Sequence, residues 1–83
     1  PRHTGVMIKK AFGERVRILR KESGMTQESL SVKSGLAFRF IQDIEAGNKQ
    51  PTITSIFKIA DALGVVPGNL LDDDFLLWQK KSN

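Results

Sequence analysis

Between Thr26 and Gly47 the chain reads T-Q-E-S-L-S-V-K-S-G-L-A-F-R-F-I-Q-D-I-E-A-G, which is two short helical runs separated by one glycine. Thr26 is a good N-cap, Glu28 places an acid in the first turn, and Leu30 is the apolar anchor of the first run. Gly35 ends that run, because glycine enters the left-handed region without steric penalty. The second run begins at once. Leu36, Phe40, Ile41 and Ile44 fall at helical spacing on one face and leave Phe38, Arg39, Gln42 and Asp43 on the other. A helix, a glycine turn and a second helix packed on the first is the arrangement the remaining segments must support.

Those segments supply more helix. Ile8, Phe12, Val16 and Leu19 recur at i, i+4, i+8 and i+11, so a first amphipathic helix is expected from about Ile8 to Ser23, slightly weakened by Gly13. Gly24 stops it, and Met25 stands before Thr26 as a staple for Leu30. After the cluster Gly47-Asn48-Lys49-Gln50-Pro51, Thr52 caps a fourth helix running from Ile53 to Leu63. Its expected buried stripe is Ile53, Ile56, Phe57, Ala60 and Leu63. Gly64 ends it, and Pro67 opens a short fifth helix through Leu71. Nothing alternates with period two over a useful length, so the expected fold is all-α, five short helices around one core.

An 83-residue chain makes one domain with a small core, and without cysteine it has no disulfide or cysteine-based zinc site to reinforce it. Stability must come from helix packing, with dimerisation as a possible aid. Residues 1–7 carry no periodicity and are expected to form a flexible basic arm; residues 8–72 form the domain and 73–83 an extension. In that extension Phe75, Leu76, Leu77 and Trp78 are apolar together. They either fold back on the domain or bury against a second copy, and the expected homodimer interface is Leu71, Phe75, Leu76 and Trp78.

Charge points to a polyanionic partner. The net charge is +4, and residues 1–25 hold seven bases against two acids, whereas residues 52–83 hold three bases against four acids. There is no long apolar run for a membrane span and no secretory signal pattern, so a cytoplasmic protein is expected. The single histidine, His3, lies in the arm. With no cysteine or tyrosine, no glycine-rich phosphate loop and no paired metal ligands, the expectation is no enzyme, no cofactor, no metal and no small-molecule ligand.

The segments F-G-E-R-V-R-I-L-R-K-E-S-G-M-T-Q-E-S-L, S-G-L-A-F-R-F-I-Q-D-I-E-A-G-N-K-Q-P-T and K-I-A-D-A-L-G-V occur in that order over about Phe12 to Leu71. Together they resemble the lambda-repressor-like helix-turn-helix family, with small phage repressors and restriction-modification controller proteins among its members. The resemblance implies a sequence-specific transcriptional regulator that binds double-stranded DNA as a homodimer on a two-fold symmetric operator. A protein-interaction module or an antitoxin on the same fold is the alternative.

The resemblance also assigns roles. Phe38, Arg39, Gln42 and Asp43 take the base-reading positions of the third helix, with Arg39 suited to guanine and Gln42 to adenine. Asp43 either accepts from a cytosine amino group or orients Arg39 one turn away. Gln27, Asn48 and Lys49 take phosphate-contacting positions. Arg20 and Glu45 correspond to a structural ion pair between the first and third helices, and Ser31 to a small residue at the crossing of the second and third. Ala37 and Val66 stand where the family favours capping side chains, and Phe38 and Ala46 where polar residues are common.

Overall fold

A computed structural model describes residues 5–71, with side chains from Ile8 onward; residues 1–4 and 72–83 lie outside the described residues. Four helices follow in order: α1 (Gly5–Glu22), α2 (Gln27–Ser34), α3 (Phe38–Glu45) and α4 (Ile53–Leu63). A fifth helical turn occupies 68–71, and no strand occurs among the described residues. The helix therefore starts before the apolar stripe does. Gly5, Val6 and Met7 belong to α1 rather than to an arm, since a helix can run past the last residue that its buried face requires.

The core joins all five elements. Phe12 and Val16 of α1, Leu30 of α2, Ile41 and Ile44 of α3, Ile59, Ala60 and Leu63 of α4, and Leu70 are all buried. Leu19, Met25, Leu36, Phe40, Ile56 and Leu71 pack around them, half-buried. Residues spaced by three and four along α4, namely Ile56, Ile59, Ala60 and Leu63, form its inward stripe, with Ser55 also buried. The expected stripe was wrong at two places. Ile53 and Phe57 sit one turn apart on the flank of that stripe and are 75% and 59% exposed, while Ile59 takes the interior position.

Local chemistry sets the helix ends. The Thr26 hydroxyl accepts from the Ser29 N–H at 3.0 Å, and the Thr52 hydroxyl accepts from that of Ser55 at 3.1 Å, each satisfying an N-terminal donor. Ala37 precedes α3 with no side-chain cap. Between α2 and α3 the chain turns at Gly35, with φ 73°, and its N–H donates to the Ser31 carbonyl at 3.0 Å. Two serines tie that turn. Ser31 Oγ donates to the Leu36 carbonyl at 2.6 Å, and the buried Ser34 Oγ accepts from the Leu36 N–H at 3.2 Å. The turn is thus fixed on both sides of its glycine.

Gly13 has a larger role than its helix propensity suggests. It lies where α1 crosses the end of α3, and a Cβ there would overlap the Ile44 carbonyl oxygen and come within 3.1 Å of the Glu45 carbonyl oxygen. Both neighbours are backbone and cannot swing aside. Gly13→Ala would gain up to about 1 kcal/mol of helix propensity, but the overpacking it introduces costs about 1–3 kcal/mol. Urea denaturation is expected to show a net loss of stability, opposite in sign to an exposed Gly→Ala change in the same helix.

Candidate nucleic-acid interface

The third helix is held by a buried polar cluster at its C-terminal end. Arg20 Nε donates to Glu45 Oε2 at 2.6 Å, and Arg20 Nη2 donates to Glu45 Oε1 at 3.0 Å, so the two planar groups meet through paired bonds. Their side chains are only 9% and 3% exposed. Arg20 Nη1 donates to the Met25 carbonyl at 2.8 Å, which also ties the α1–α2 turn to the pair. Gln27 Nε2 donates to Glu45 Oε1 at 3.1 Å. One carboxylate therefore links α1, α2 and α3.

From this anchored base α3 presents its other face. Phe38 is 40% exposed, and Gln42 is half-buried. Arg39 extends into solvent with its side chain 83% exposed, and its Nε lies 3.3 Å from Asp43 Oδ1, one turn along the helix. That contact engages Nε and leaves the two terminal guanidinium nitrogens of Arg39 for other acceptors. The structure thus brings Arg39 and Asp43 together and places Phe38 and Gln42 beside them on the same helix. An exposed ion pair of this kind adds little to stability, so its consequence is orientation.

The flanks are set by the chain leaving α3. The Asn48 N–H donates to the Asp43 carbonyl at 2.9 Å and the Gly47 N–H to that of Ile44 at 3.0 Å, closing the helix end. Asn48 therefore has its side chain, not its backbone donor, available for another contact. Lys49 Nζ lies 6.0 Å from the centre of the half-buried Phe40 ring, which keeps its ammonium group beside α3. Gln27, at the start of α2, has one amide N–H directed to Glu45, leaving the second N–H and the carbonyl oxygen. Of the expected dimer residues, Leu71 is half-buried at the core margin, and Phe75, Leu76 and Trp78 lie outside the described residues.

Three of the six bases of the first helix have partners within the fold. Arg20 is in the buried pair, Arg15 Nε donates to the Asn69 carbonyl at 2.9 Å, and Arg17 pairs with Glu14 at 2.6 Å. Charge counting along the sequence could not separate these roles. Ser34 and Gly13 also went unassigned in the sequence. The local signal for Ser34 was a hydroxyl residue one position before the turn glycine, where it can meet free backbone groups.

No group of three or more histidine, cysteine, aspartate or glutamate residues capable of holding a metal occurs among the described residues. No described helix is long and apolar enough to cross a membrane.

Comparison with known proteins gives the same architecture. The helix-turn-helix family profile HTH_3 matches residues 16–70. The chain is 42% identical over 66 residues to the control protein C.BamHI of Bacillus amyloliquefaciens, covering 78% of this chain and 82% of that one. It is 27% identical over 70 residues to the immunity repressor protein of Bacillus phage phi105, covering 84% of this chain and 49% of the repressor. Among solved structures, the restriction-modification controller protein C.AhdI from Aeromonas hydrophila superposes with a TM-score of 0.74 at 35% identity, over 75% of this chain and 94% of that one.

The polar cluster makes a direct stability prediction. Arg20→Met leaves Glu45 buried without its charge partner and is expected to cost about 3–5 kcal/mol. Replacing Arg20 and Glu45 together by apolar residues of similar volume is expected to cost much less, because neither charge is then stranded. Chemical denaturation of the single and double variants measures the difference.

Proposed function

Because this chain belongs to the helix-turn-helix family of transcriptional regulators, we propose that it binds double-stranded DNA sequence-specifically as a homodimer on a two-fold symmetric operator and thereby controls a promoter. The observation that carries this reading is the pairing of a rigidly anchored α3 with an outward Arg39 oriented by Asp43. A helix entering the major groove reads base edges with side chains whose positions are fixed before contact. The work is binding rather than catalysis, in the cytoplasm, and needs no cofactor.

Each side chain then has a distinct task. Arg39 donates from its terminal nitrogens to guanine O6 and N7, and Gln42 pairs with adenine N6 and N7. Phe38 offers an apolar surface to a thymine methyl group. Asp43 holds the Arg39 guanidinium edge-on to the groove. Gln27, Asn48 and Lys49 contact the phosphates on either side, setting register without reading sequence. Gln27 does so while bonded to Glu45, which couples the phosphate contact to the anchored platform.

A second copy of the chain is proposed to cover the outer flank of α4. Of the large apolar residues left exposed among the described residues, Ile53, Phe57 and Val66 belong to α4 and the loop leaving it, whereas Val32 stands alone on α2 and Phe38 lies on α3. Pairing through the α4 flank orients two α3 helices for half-sites about one helical turn apart, roughly 34 Å, or a multiple of it.

Two experiments test these assignments. Arg39→Ala is expected to weaken binding to the preferred duplex by about 1–3 kcal/mol and to relax preference at one base pair, whereas Lys49→Ala weakens all duplexes alike and lowers the salt slope by about one. Loss of affinity without loss of preference in Arg39→Ala would reassign it to the phosphates. For the dimer, Phe57→Glu is expected to sediment as a monomer at concentrations where the unmodified chain is dimeric; an unchanged dimer places the interface elsewhere.

A further inference from the structure

Lys9, Lys10 and Lys21 are the bases of α1 other than the three paired arginines, and their surroundings differ. Lys21 stands in the last turn of α1, where a cation complements the helix C-terminus. Lys9 lines an apolar groove with Phe12, Pro51, Ile56 and Leu71. Lys10 faces the exit of α3 instead. It lies so close to Gly47 that a Cβ on that glycine would come within 2.9 Å of Lys10 Cγ and 3.2 Å of Lys10 Cα. Asn48 and Lys49 follow Gly47 directly. We propose, resting on the DNA-binding function above, that Lys10 is a further phosphate contact, gripping from α1 the stretch of DNA backbone that Asn48 and Lys49 hold from the loop.

Position, charge and rigidity support this role. The Lys10 stem passes along Gly47, and its flexible four-carbon length carries the ammonium group past that glycine toward the loop surface. Lys10 is exposed and has no ion pair among the described residues. Glu14, at the i+4 position that could neutralise it, turns its carboxylate to Arg17 at 2.6 Å. Lys10 and Lys49 thus flank one glycine with like charges, an arrangement that an anion between them makes favourable. The site is also fixed relative to α3. Gly13 allows α1 to cross the α3 backbone closely, and the Arg20–Glu45 pair locks that crossing, so a phosphate held by Lys10 has a set place relative to Arg39. Such a contact sets register and reads no base.

The salt dependence of binding to the preferred duplex tests the assignment. Lys10→Gln is expected to lower the slope of log affinity against log salt by about 0.9 for each bound chain, with the selected sequence preference and the far-ultraviolet helix signal unchanged. Lys10→Arg keeps the charge and is expected to keep the slope. Lys9→Gln, one residue away on the groove side, is expected to leave it unaltered. A slope unchanged in Lys10→Gln, or lowered equally by Lys9→Gln, would overturn the assignment while leaving the DNA-binding function standing. An unmodified chain that retains no duplex would remove both.

Discussion

The guanidinium of Arg20 and the carboxylate of Glu45 meet in a space too dry to leave either charge alone, and the relative placement of three helices follows from satisfying both. Arg20 sits in the last turn of α1 and Glu45 at the end of α3, so their paired bonds fix how far one helix slides along the other. The Met25 carbonyl accepts from a third Arg20 nitrogen and the Gln27 amide donates to Glu45, which brings in the α1–α2 turn and the start of α2. Such a pair adds little net stability over a well-packed apolar substitute. What it supplies is a single arrangement, since any other leaves a buried charge without a partner. Gly13 makes the same crossing possible sterically, by removing the Cβ that would meet the α3 backbone.

A platform fixed in this way separates the tasks of the two faces of α3. Ile41 and Ile44 are fully buried beneath it, while Arg39 stands almost wholly in solvent one turn from Asp43. Serines 31 and 34 hold the turn that feeds α3, so its entry angle and its exit are both determined by bonds rather than by apolar packing alone. The outer positions can then vary in chemistry without disturbing the fold. Phe38 and Asp43 are outer positions of this kind, while Ile41 and Ile44 fill the inner face.

Much of this was legible in the sequence because the signals were local. The Thr26 and Thr52 caps, the Gly35 turn and the buried positions of Phe12, Val16, Leu30, Ile41 and Ile44 follow from capping chemistry and a period of 3.6. The misreadings arose where the answer depended on contacts far along the chain. Ile53 and Phe57 are as apolar as Ile59, and only the placement of α4 against α1 and α2 decides which of them turns inward. Gly13 looks like a weak point in a helix until the Ile44 carbonyl is set against it. The bases of α1 suggest an anion surface, yet the partners of Arg15 and Arg20 lie 54 and 25 residues away in sequence, and charge counting cannot locate them. The reading face was nominated through family resemblance, and its geometry adds the Arg39–Asp43 contact and the Gln27–Glu45 link.

On the proposed function, this platform presents α3 to read base sequence in duplex DNA. That role is tested most directly by selecting bound duplexes from a random pool with the unmodified chain at physiological salt and sequencing what is retained. Enrichment of a two-fold symmetric motif with a guanine at a fixed place in each half-site is expected. A retained pool with no sequence preference, or no retention above the salt-sensitive background, would contradict it.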